Sequence, residues 1–226
     1  MKFKINRLKK NIKNYFSSIK KAKKPIGQLT NETESGQIIS NFIQNYKLKN
    51  ILEIGTWNGL GSTLTIINAL NKVLENYNFI SIESDKIFYK QALKNLKNYL
   101  GDNVSLRLGR LFELDELPNV DELDLELFGL HKNNYEWFVQ DLRRYKKIKN
   151  IYPTIPTNFD FILFDGGEFS TYPEFIKLFY KTQFFALDDT DKYKQFEVLN
   201  YINLNKDQFK LCIEIPGFAI YEYLNF

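Results

Sequence analysis

Three carboxylates follow two apolar segments that have the character of neighbouring strands. Asp165 comes directly after Phe161–Phe164, and Asp188 and Asp189 come after Phe184–Leu187. The carboxyl ends of parallel strands meet at one edge of a sheet, where ligands bind, so we expect these side chains to converge. Clustered carboxylates repel one another unless a cation is present, and all-oxygen ligands favour Mg²⁺, Mn²⁺ or Ca²⁺. The sequence therefore predicts a metal site, unless one of the pair only caps the following helix.

A glycine-bearing turn follows an earlier apolar segment and opens a helix. It has the sequence Ile-Leu-Glu-Ile-Gly-Thr-Trp-Asn-Gly-Leu-Gly-Ser over residues 51–62. Glycine lets the backbone turn sharply and come close to a ligand, and the N–H groups of the helix start can bind a polar or anionic group. Glu53 lies two residues before Gly55, and a second acid, Glu83, ends the next strand, where Rossmann-like folds bind ribose hydroxyls. An NAD-binding turn, or a turn without a ligand, is an open alternative.

Strands alternate with helices along the chain, which predicts a parallel sheet with helices on both faces. A helix precedes the first strand, with Asn31 and Glu34 as its expected capping box. The end of the chain is expected to form an antiparallel hairpin around Pro216-Gly217. We therefore predict an α/β fold with a seven-stranded, mostly parallel sheet. The expected strands are 50–54, 79–82, 104–108, 161–164, 184–187, 210–215 and 218–223.

The turn after the first strand resembles motif I of the class I S-adenosylmethionine-dependent methyltransferases, an acid followed by spaced glycines. Glu53, Gly55 and Gly59 match its positions, while Trp57 replaces the middle glycine. The resemblance implies a Rossmann-like class I methyltransferase fold with S-adenosylmethionine as cofactor. It also implies that Glu53 faces the methionine amino end, that Glu83 holds the ribose, and that the turn after the third strand lies beside the adenine. The implied cofactor-binding residues are Glu53, Gly55, Thr56, Gly59, Ser62, Glu83, Ser84, Arg110, Leu111 and Asp165.

The segment that begins at Asp165, together with the later acidic pair, resembles the metal-dependent O-methyltransferases, including the branch that modifies sugars and surface glycans. In that family these acids hold a divalent ion, Mg²⁺ or Mn²⁺, which chelates substrate hydroxyls and lowers their pKa. The resemblance implies Asp165, Asp188 and Asp189 as metal ligands, and Asp165 and Glu168 as catalytic residues. Glu168 stands where many relatives have a histidine base, and a glutamate must be desolvated to act near neutral pH.

The resemblance implies methyl transfer from S-adenosylmethionine to a hydroxyl, on a sugar, a glycan precursor or another small-molecule acceptor. Two other functions remain open: a non-catalytic module that keeps the fold as a scaffold, and a nucleic-acid methyltransferase guided by a basic tail. The Asn/Asp-Pro-Pro-aromatic motif of amino-directed enzymes is absent from the sequence. That absence counts against methylation of nitrogen.

Charge divides the chain into two parts. Ten Lys or Arg residues and no acid lie in residues 1–24, which leaves 21 bases against 27 acids in the rest of the chain. Apolar residues recur in this tail at helical spacing, so we predict a basic amphipathic helical extension over 1–30 and a methyltransferase domain over 31–226. The stretch at about 113–157 breaks the alternation of strands and helices. We predict that it is an insertion, carrying the single histidine His131, which shapes the substrate pocket or an oligomer contact.

Two interpretations of the basic extension remain open. It packs its apolar stripe on the domain or on a second subunit of a homo-oligomer, or it binds an anionic surface such as membrane, nucleic acid or glycan. The single cysteine, Cys212, excludes an internal disulfide and favours a reducing compartment. No apolar run in the sequence is long enough to cross a bilayer. We therefore expect a cytoplasmic protein, and membrane binding by the extension would place it peripherally at the inner membrane surface.

Overall fold

The computed structural model describes residues 29–73, 75–119 and 132–226 of the 226-residue chain. The predicted basic helix within residues 1–24 and His131 lie outside the described residues. Part of the acidic run in the stretch 113–157 lies outside them as well.

Seven strands form one sheet in the order β3-β2-β1-β4-β5-β7-β6. Neighbours from β3 to β5 run parallel, whereas β7 is antiparallel to both β5 and β6. The predicted mostly parallel sheet with a C-terminal antiparallel hairpin is confirmed. The strands are β1 (Asn50–Ile54), β2 (Asn78–Glu83), β3 (Val104–Leu108), β4 (Phe159–Phe164), β5 (Thr182–Asp188), β6 (Phe209–Ile215) and β7 (Phe218–Tyr223).

Successive side chains of the central strands enter two different cores, one on each face of the sheet. In β1, Ile51 belongs to one core and Leu52 to the other, and β4 divides Phe161 and Ile162 in the same way. All four side chains are fully buried. Because helices cover both faces, the central strands are buried along almost their whole length rather than at every second residue.

Helices cover both faces of the sheet in the described part of the chain. Ile39 of α1 and Ile66 of α2 pack in one core, while Phe175 of α5 and Val198 of α6 pack in the other. No helix in the residues described is both long enough and apolar enough to cross a membrane. The helices are α1 (Glu34–Tyr46), α2 (Ser62–Val73), α3 (Lys86–Asn95), α4 (Lys132–Tyr145), α5 (Thr171–Leu178) and α6 (Phe196–Leu204).

The start of α1 differs from the expected one. Thr33 is the N-cap, and its Oγ1 accepts a hydrogen bond from the backbone N–H of Gly36 at 3.3 Å. The predicted capping box of Asn31 with Glu34 is wrong, because Glu34 is the first helical residue and Thr33 directly precedes it. A threonine in this position satisfies one of the free N–H groups of the first turn.

The stretch 113–157 returns the chain from β3, at the edge of the sheet, to β4 beside β1. A crossover between parallel strands requires a long connection, usually with a helix, and α4 lies in this one. Phe138 and Tyr145 of α4 form a small separate core with Phe169, from the loop after β4. This packing places the end of α4 beside the turns that follow the parallel strands.

Candidate functional site

A cavity of about 320 Å³ lies at the carboxyl ends of the parallel strands. The turns after β1, β2, β3 and β4 contribute Gly55, Ser84, Gly109 and Asp165 to its wall, and Glu83 at the end of β2 also lines it. Four of the residues predicted to bind a cofactor, Gly55, Glu83, Ser84 and Asp165, therefore meet at one cavity.

Gly55 is required by the contact between two of these turns. Its φ of 101° lies in the left-handed region, which only glycine adopts readily. A Cβ at this position would lie 1.9 Å from the carbonyl oxygen of Asp165. The backbone N–H of Asp165 donates to the carbonyl oxygen of Ile54 at 3.0 Å. Glycine thus lets the turn after β1 touch the turn after β4, and both turns form part of the cavity wall.

Gly59 has a different role from Gly55. It also has a positive φ, 80°, but it is not part of the cavity lining. A Cβ at Gly59 would lie 2.6 Å from Cδ1 of Leu96, the residue that ends α3. The structure thus gives a reason for glycine here that the resemblance did not imply: it brings the turn close to α3.

Glu53 is fully buried. It directly precedes Ile54 and Gly55, which line the cavity. Thr63 Oγ1 donates to its Oε2 at 2.6 Å, and Ser81 Oγ donates to the same oxygen. Its Oε1 has no hydrogen-bond partner among the described residues. Burial raises the pKa of Glu53 to about 7, although hydrogen bonds from neighbouring hydroxyls oppose the shift. A buried carboxylate oxygen without a donor is costly, which points to a donor from a ligand.

Glu83 is buried in the cavity wall, and backbone donors hold its carboxylate in place. Oε2 accepts from the N–H of Trp57 at 2.6 Å, and Oε1 accepts from the N–H of Asp85 at 2.7 Å. Burial raises the pKa of Glu83 to about 7. A carboxylate has about four acceptor positions, so Glu83 keeps acceptor capacity for a ligand hydroxyl.

The remaining residues predicted to bind a cofactor lie behind the cavity wall. Thr56 Oγ1 is hydrogen-bonded to Ser81 Oγ, and Ser62 is buried like Thr56. Leu111 is fully buried in a core. The guanidinium of Arg110 donates to the backbone carbonyl oxygens of Ile148 and Phe112. These side chains support the residues that line the cavity, and none of them is part of the lining.

Helix α4 supplies a wall of the cavity that sequence analysis did not assign to particular residues. Asp141, Arg144 and Tyr145 line it. Arg144 Nη1 donates to Asp85 Oδ2 at 2.6 Å, and its Nη2 donates to Asp141 Oδ1. The ion pair with Asp85 joins α4 to the N-cap of α3. The spacing of Asp141 and Arg144, three residues apart in an expected helical piece, was the available signal for their pairing.

Glu174 is a further buried carboxyl group in the cavity wall that sequence analysis did not assign. It is 4% exposed, and its closest recorded donor is Ser170 Oγ, at 3.4 Å from Oε2. Burial raises the pKa of Glu174 to about 8, with a smaller contribution from the negative charge of Glu83. The side chain therefore carries a proton near neutral pH. Its position four residues after Ser170, at the start of α5, was the available signal.

The three carboxylates predicted to converge do so. One oxygen each from Asp165, Asp188 and Asp189 lies within 4.8 Å of the others. Asp188 ends β5, and Asp189 takes the left-handed conformation with φ 58°. Burial and the repulsion of Asp165 raise the pKa of Asp188 to about 8. The carboxylate cluster, as we name these three residues, lies beside the cavity because Asp165 belongs to both.

A lysine that sequence analysis missed lies against the carboxylate cluster. Lys194 Nζ is 2.7 Å from Asp165 Oδ1 and 2.8 Å from Asp189 Oδ2. Its side chain is 6% exposed. Burial favours the neutral amine, but the attraction of Asp165 and Asp189 outweighs it, so the pKa of Lys194 is raised. The cluster therefore contains a permanent positive charge.

Comparison with known proteins identifies the fold. No protein-family profile and no curated protein sequence matches the chain. The O-methyltransferase from Bacillus cereus in complex with SAH is 15% identical, with 88% of this chain and 84% of that chain covered and a TM-score of 0.57. The O-methyltransferase TomG from Streptomyces achromogenes, in complex with SAM, is 16% identical over 94% and 96%, with a TM-score of 0.56. Cofactor-bound Rv0187 from MTB is 14% identical over 94% and 88%, with a TM-score of 0.60.

The chain has the class I methyltransferase fold. At these identities the likeness establishes the fold alone. The activity of this methyltransferase-fold protein has to be argued from its cavity and its carboxylate cluster.

A divalent ion does not fit the carboxylate cluster in this arrangement. Mg²⁺ and Ca²⁺ bind carboxylate oxygens at about 2.0–2.6 Å, and two of the three carboxylates already form close ion pairs with Lys194. The ammonium and a divalent ion would also repel each other. The predicted convergence of carboxylates is confirmed, whereas the positive charge beside them comes from the chain itself.

Glu168, the predicted base, is half-buried in the loop after β4 and beside Lys194. Burial raises the pKa of Glu168, and the positive charge of Lys194 opposes the shift. A glutamate with a raised pKa is a better proton acceptor near neutral pH than an exposed one.

Proposed function

We propose that this chain is an S-adenosylmethionine-dependent methyltransferase that transfers a methyl group to an oxygen atom. The observation that carries the proposal is the carboxylate of Glu83. It is buried in the cavity wall at the end of β2, fixed by backbone N–H groups and still able to accept a hydroxyl hydrogen bond. In Rossmann-like folds an acid at this position binds the ribose.

The other end of the cofactor has a matching acceptor. Oε1 of Glu53 is buried without a donor among the described residues, and it belongs to the residue that precedes the Ile54-Gly55 wall. The amino group of the methionine part would supply that donor, directly or through a water molecule. S-adenosylmethionine supplies a methyl group activated by a sulfonium charge, while the residues of the chain position it.

The charge of the cavity favours a cationic ligand. Besides the protonated Glu174, four carboxyl groups line it, against one guanidinium among the described residues. The sulfonium and ammonium groups of S-adenosylmethionine carry positive charge, so this lining attracts the methyl donor more strongly than the uncharged sulfur of the product. The lining acids are Glu83, Asp85, Asp141, Asp165 and Glu174.

Two observations favour an oxygen acceptor. The motif of nitrogen-directed enzymes is absent from the sequence, and carboxylates rather than amides follow β4 and β5. We propose that Glu168 takes the proton from the acceptor hydroxyl, because it lies in the loop after β4 and burial raises its pKa. Asp165, which lines the cavity and belongs to the cluster, would position the acceptor.

The finer description of the acceptor is a sugar or a glycan precursor, and it rests on the resemblance of the motifs at Asp165 and Asp188. The help of Mg²⁺ or Mn²⁺ rests on the same resemblance and on the convergence of the three carboxylates. An ion bound there would have to displace Lys194 from Asp165 and Asp189.

Titration calorimetry with S-adenosylhomocysteine tests the cofactor, and transfer of a radiolabelled methyl group to a panel of hydroxyl acceptors, with and without EDTA, tests the reaction. We expect saturable binding and transfer to oxygen. Absence of binding at about 1 mM ligand, which corresponds to a binding free energy weaker than about −4 kcal/mol, would reject the proposal and favour a scaffold.

The partner of residues 1–24 is a separate proposal, since these residues lie outside the described part of the chain. Their ten positive charges without an acid suit an anionic surface. Deleting them should abolish co-sedimentation with anionic vesicles at low salt and leave the affinity for S-adenosylhomocysteine unchanged. A changed oligomeric state instead, with no vesicle binding by the full chain, would assign the segment to subunit packing.

A further inference from the structure

The positive charge of Lys194 occupies the place at which the sequence predicts a metal ion. Its Nζ bridges Asp165 and Asp189 at 2.7 and 2.8 Å, and these are two of the three carboxylates that converge. The lysine side chain is almost completely buried. An ammonium that forms close ion pairs with two carboxylates supplies the counter-charge that the carboxylate cluster requires.

The backbone on both sides of Lys194 is held in place. Gln195 is fully buried, and its Nε2 donates to the carbonyl oxygens of Phe164 at 3.1 Å and of Asp188 at 2.9 Å. These carbonyls end β4 and β5, the strands that carry the carboxylates. The turn Tyr193–Gln195 is therefore attached to the carboxyl edge of the sheet.

A neighbouring lysine shows the contrast. The side chain of Lys192 is 56% exposed and pairs with Asp191, which is exposed as well. Exposed pairs of this kind contribute little to stability. Lys194, only two residues further along, is buried between acids from two different strands. The pairing of Lys194 is thus a property of the site rather than of a generally basic segment.

We propose that Lys194 is the resident cation of the carboxylate cluster, and that this site therefore works without a divalent metal ion. Lys194 acts as a positioning residue that holds Asp165 and Asp189 in place at the cavity. The catalytic meaning of this inference rests on the proposed function, whereas the exclusion of metal ions can be tested by itself.

The inference has a consequence for the acceptor. A bound divalent ion selects acceptors with two adjacent oxygens, because it chelates them. A lysine engaged with two carboxylates does not chelate. The site should therefore accept substrates with a single hydroxyl near the methyl donor as well as those with an adjacent pair, and methylation should persist in EDTA.

Binding of Mn²⁺, followed by electron paramagnetic resonance on the full-length protein, tests the exclusion of metal. We expect no saturable binding to the wild type up to about 1 mM Mn²⁺. Lys194→Met keeps most of the apolar stem, removes the charge and should bind Mn²⁺ at least about tenfold more tightly than the wild type. Lys192→Met is the matched control and should behave like the wild type.

Stability measurements keep the test decisive if Lys194→Met folds poorly. Mn²⁺ should raise the melting temperature of Lys194→Met and leave that of the wild type unchanged. Wild-type binding of Mn²⁺ that Asp188→Asn abolishes would overturn the proposal, as would a folded Lys194→Met protein that binds no Mn²⁺. Calorimetry with S-adenosylhomocysteine reports on the proposed function separately, since the wild type should bind that ligand equally well with and without EDTA.

Discussion

Replacing Glu83 with glutamine tests the cofactor site most directly. The substitution keeps the shape of the side chain but removes its charge and turns one acceptor oxygen into an NH₂ donor. Both oxygens of Glu83 accept backbone N–H groups, from Trp57 at 2.6 Å and from Asp85 at 2.7 Å. The amide nitrogen of glutamine would have to face one of these donors with its own hydrogens. The ribose would lose a charged acceptor, and the turn would lose a contact that fixes it.

The size of the effect follows from the hydrogen bonds lost. A hydrogen bond to a charged group contributes about 1.5–3 kcal/mol, which corresponds to a roughly 10- to 150-fold weaker affinity for S-adenosylhomocysteine. Calorimetry at pH 8, above the pKa of about 7 that burial gives Glu83, ensures that the wild-type carboxylate is ionised. Glu75→Gln is the matched control, because Glu75 is exposed and precedes the same strand.

Two further measurements separate binding from folding. The melting temperature of Glu83→Gln shows whether the variant is folded at the temperature of the titration. A folded Glu83→Gln protein whose affinity lies within about twofold of the wild type, less than about 0.5 kcal/mol, would refute the reasoning. In that case Glu83 would serve only to hold the turn at Trp57, and the ribose would have to bind elsewhere.

Three other substitutions follow from the cavity wall and its turns. Arg144→Met should speed the dissociation of S-adenosylhomocysteine in stopped-flow experiments, because it removes the ion pair between α4 and the start of α3. Arg143→Met replaces an exposed neighbour and should leave the dissociation rate unchanged. Equal dissociation rates for the two variants would contradict the role of α4 in holding the ligand. Gly59→Ala should lower the free energy of unfolding in urea by about 1–3 kcal/mol, because alanine is strained at a positive φ and its Cβ would collide with Leu96. A loss of affinity for S-adenosylhomocysteine in the folded variant would show that Gly59 contacts the ligand. Burial raises the pKa of Glu174 from 4.5 to about 8, so the folded state keeps a proton that the unfolded chain releases, and stability falls as pH rises through this range. Glu174→Gln should therefore match the wild type at pH 4.5 and exceed it at pH 8 by at least about 1.4 kcal/mol, one pKa unit, in urea denaturation of the ligand-free protein; a parallel pH dependence would exclude a buried acid here.

The strands could be predicted because both faces of the sheet are covered. Each central strand is a largely apolar segment between polar turns, and β1 and β3 have the predicted bounds. The ends of the helices are harder to predict from the sequence than the bounds of the strands. The end of α3 at Asn95 has no local signal in the sequence, because it accompanies the burial of Leu96 beneath Gly59. That contact joins residues far apart in sequence, so local periodicity contains no sign of it.

The carboxylate cluster could be predicted because parallel strands bring their carboxyl ends to one edge. Asp165 and Asp188 needed only the order of β4 and β5 to be placed together. Lys194 could not be found in this way, since it reaches the cluster through a long side chain from a short turn. The pairing of Arg144 with Asp85 was equally hidden, because it depends on how α4 crosses the ends of the strands. Positions set by strand topology are readable from sequence, whereas those set by side-chain reach across elements are not.

Asp165 has three contacts that together have a kinetic consequence. Its backbone N–H is bonded to Ile54, its carbonyl oxygen lies where a side chain at Gly55 would be, and its carboxylate accepts from Lys194. A ligand bound against the turn after β1 therefore contacts the same residue, Asp165, that we propose to position the acceptor. We expect substrates to add in a fixed order, with the methyl donor first. Initial-rate patterns with a dead-end analogue of the acceptor would distinguish this order from random addition.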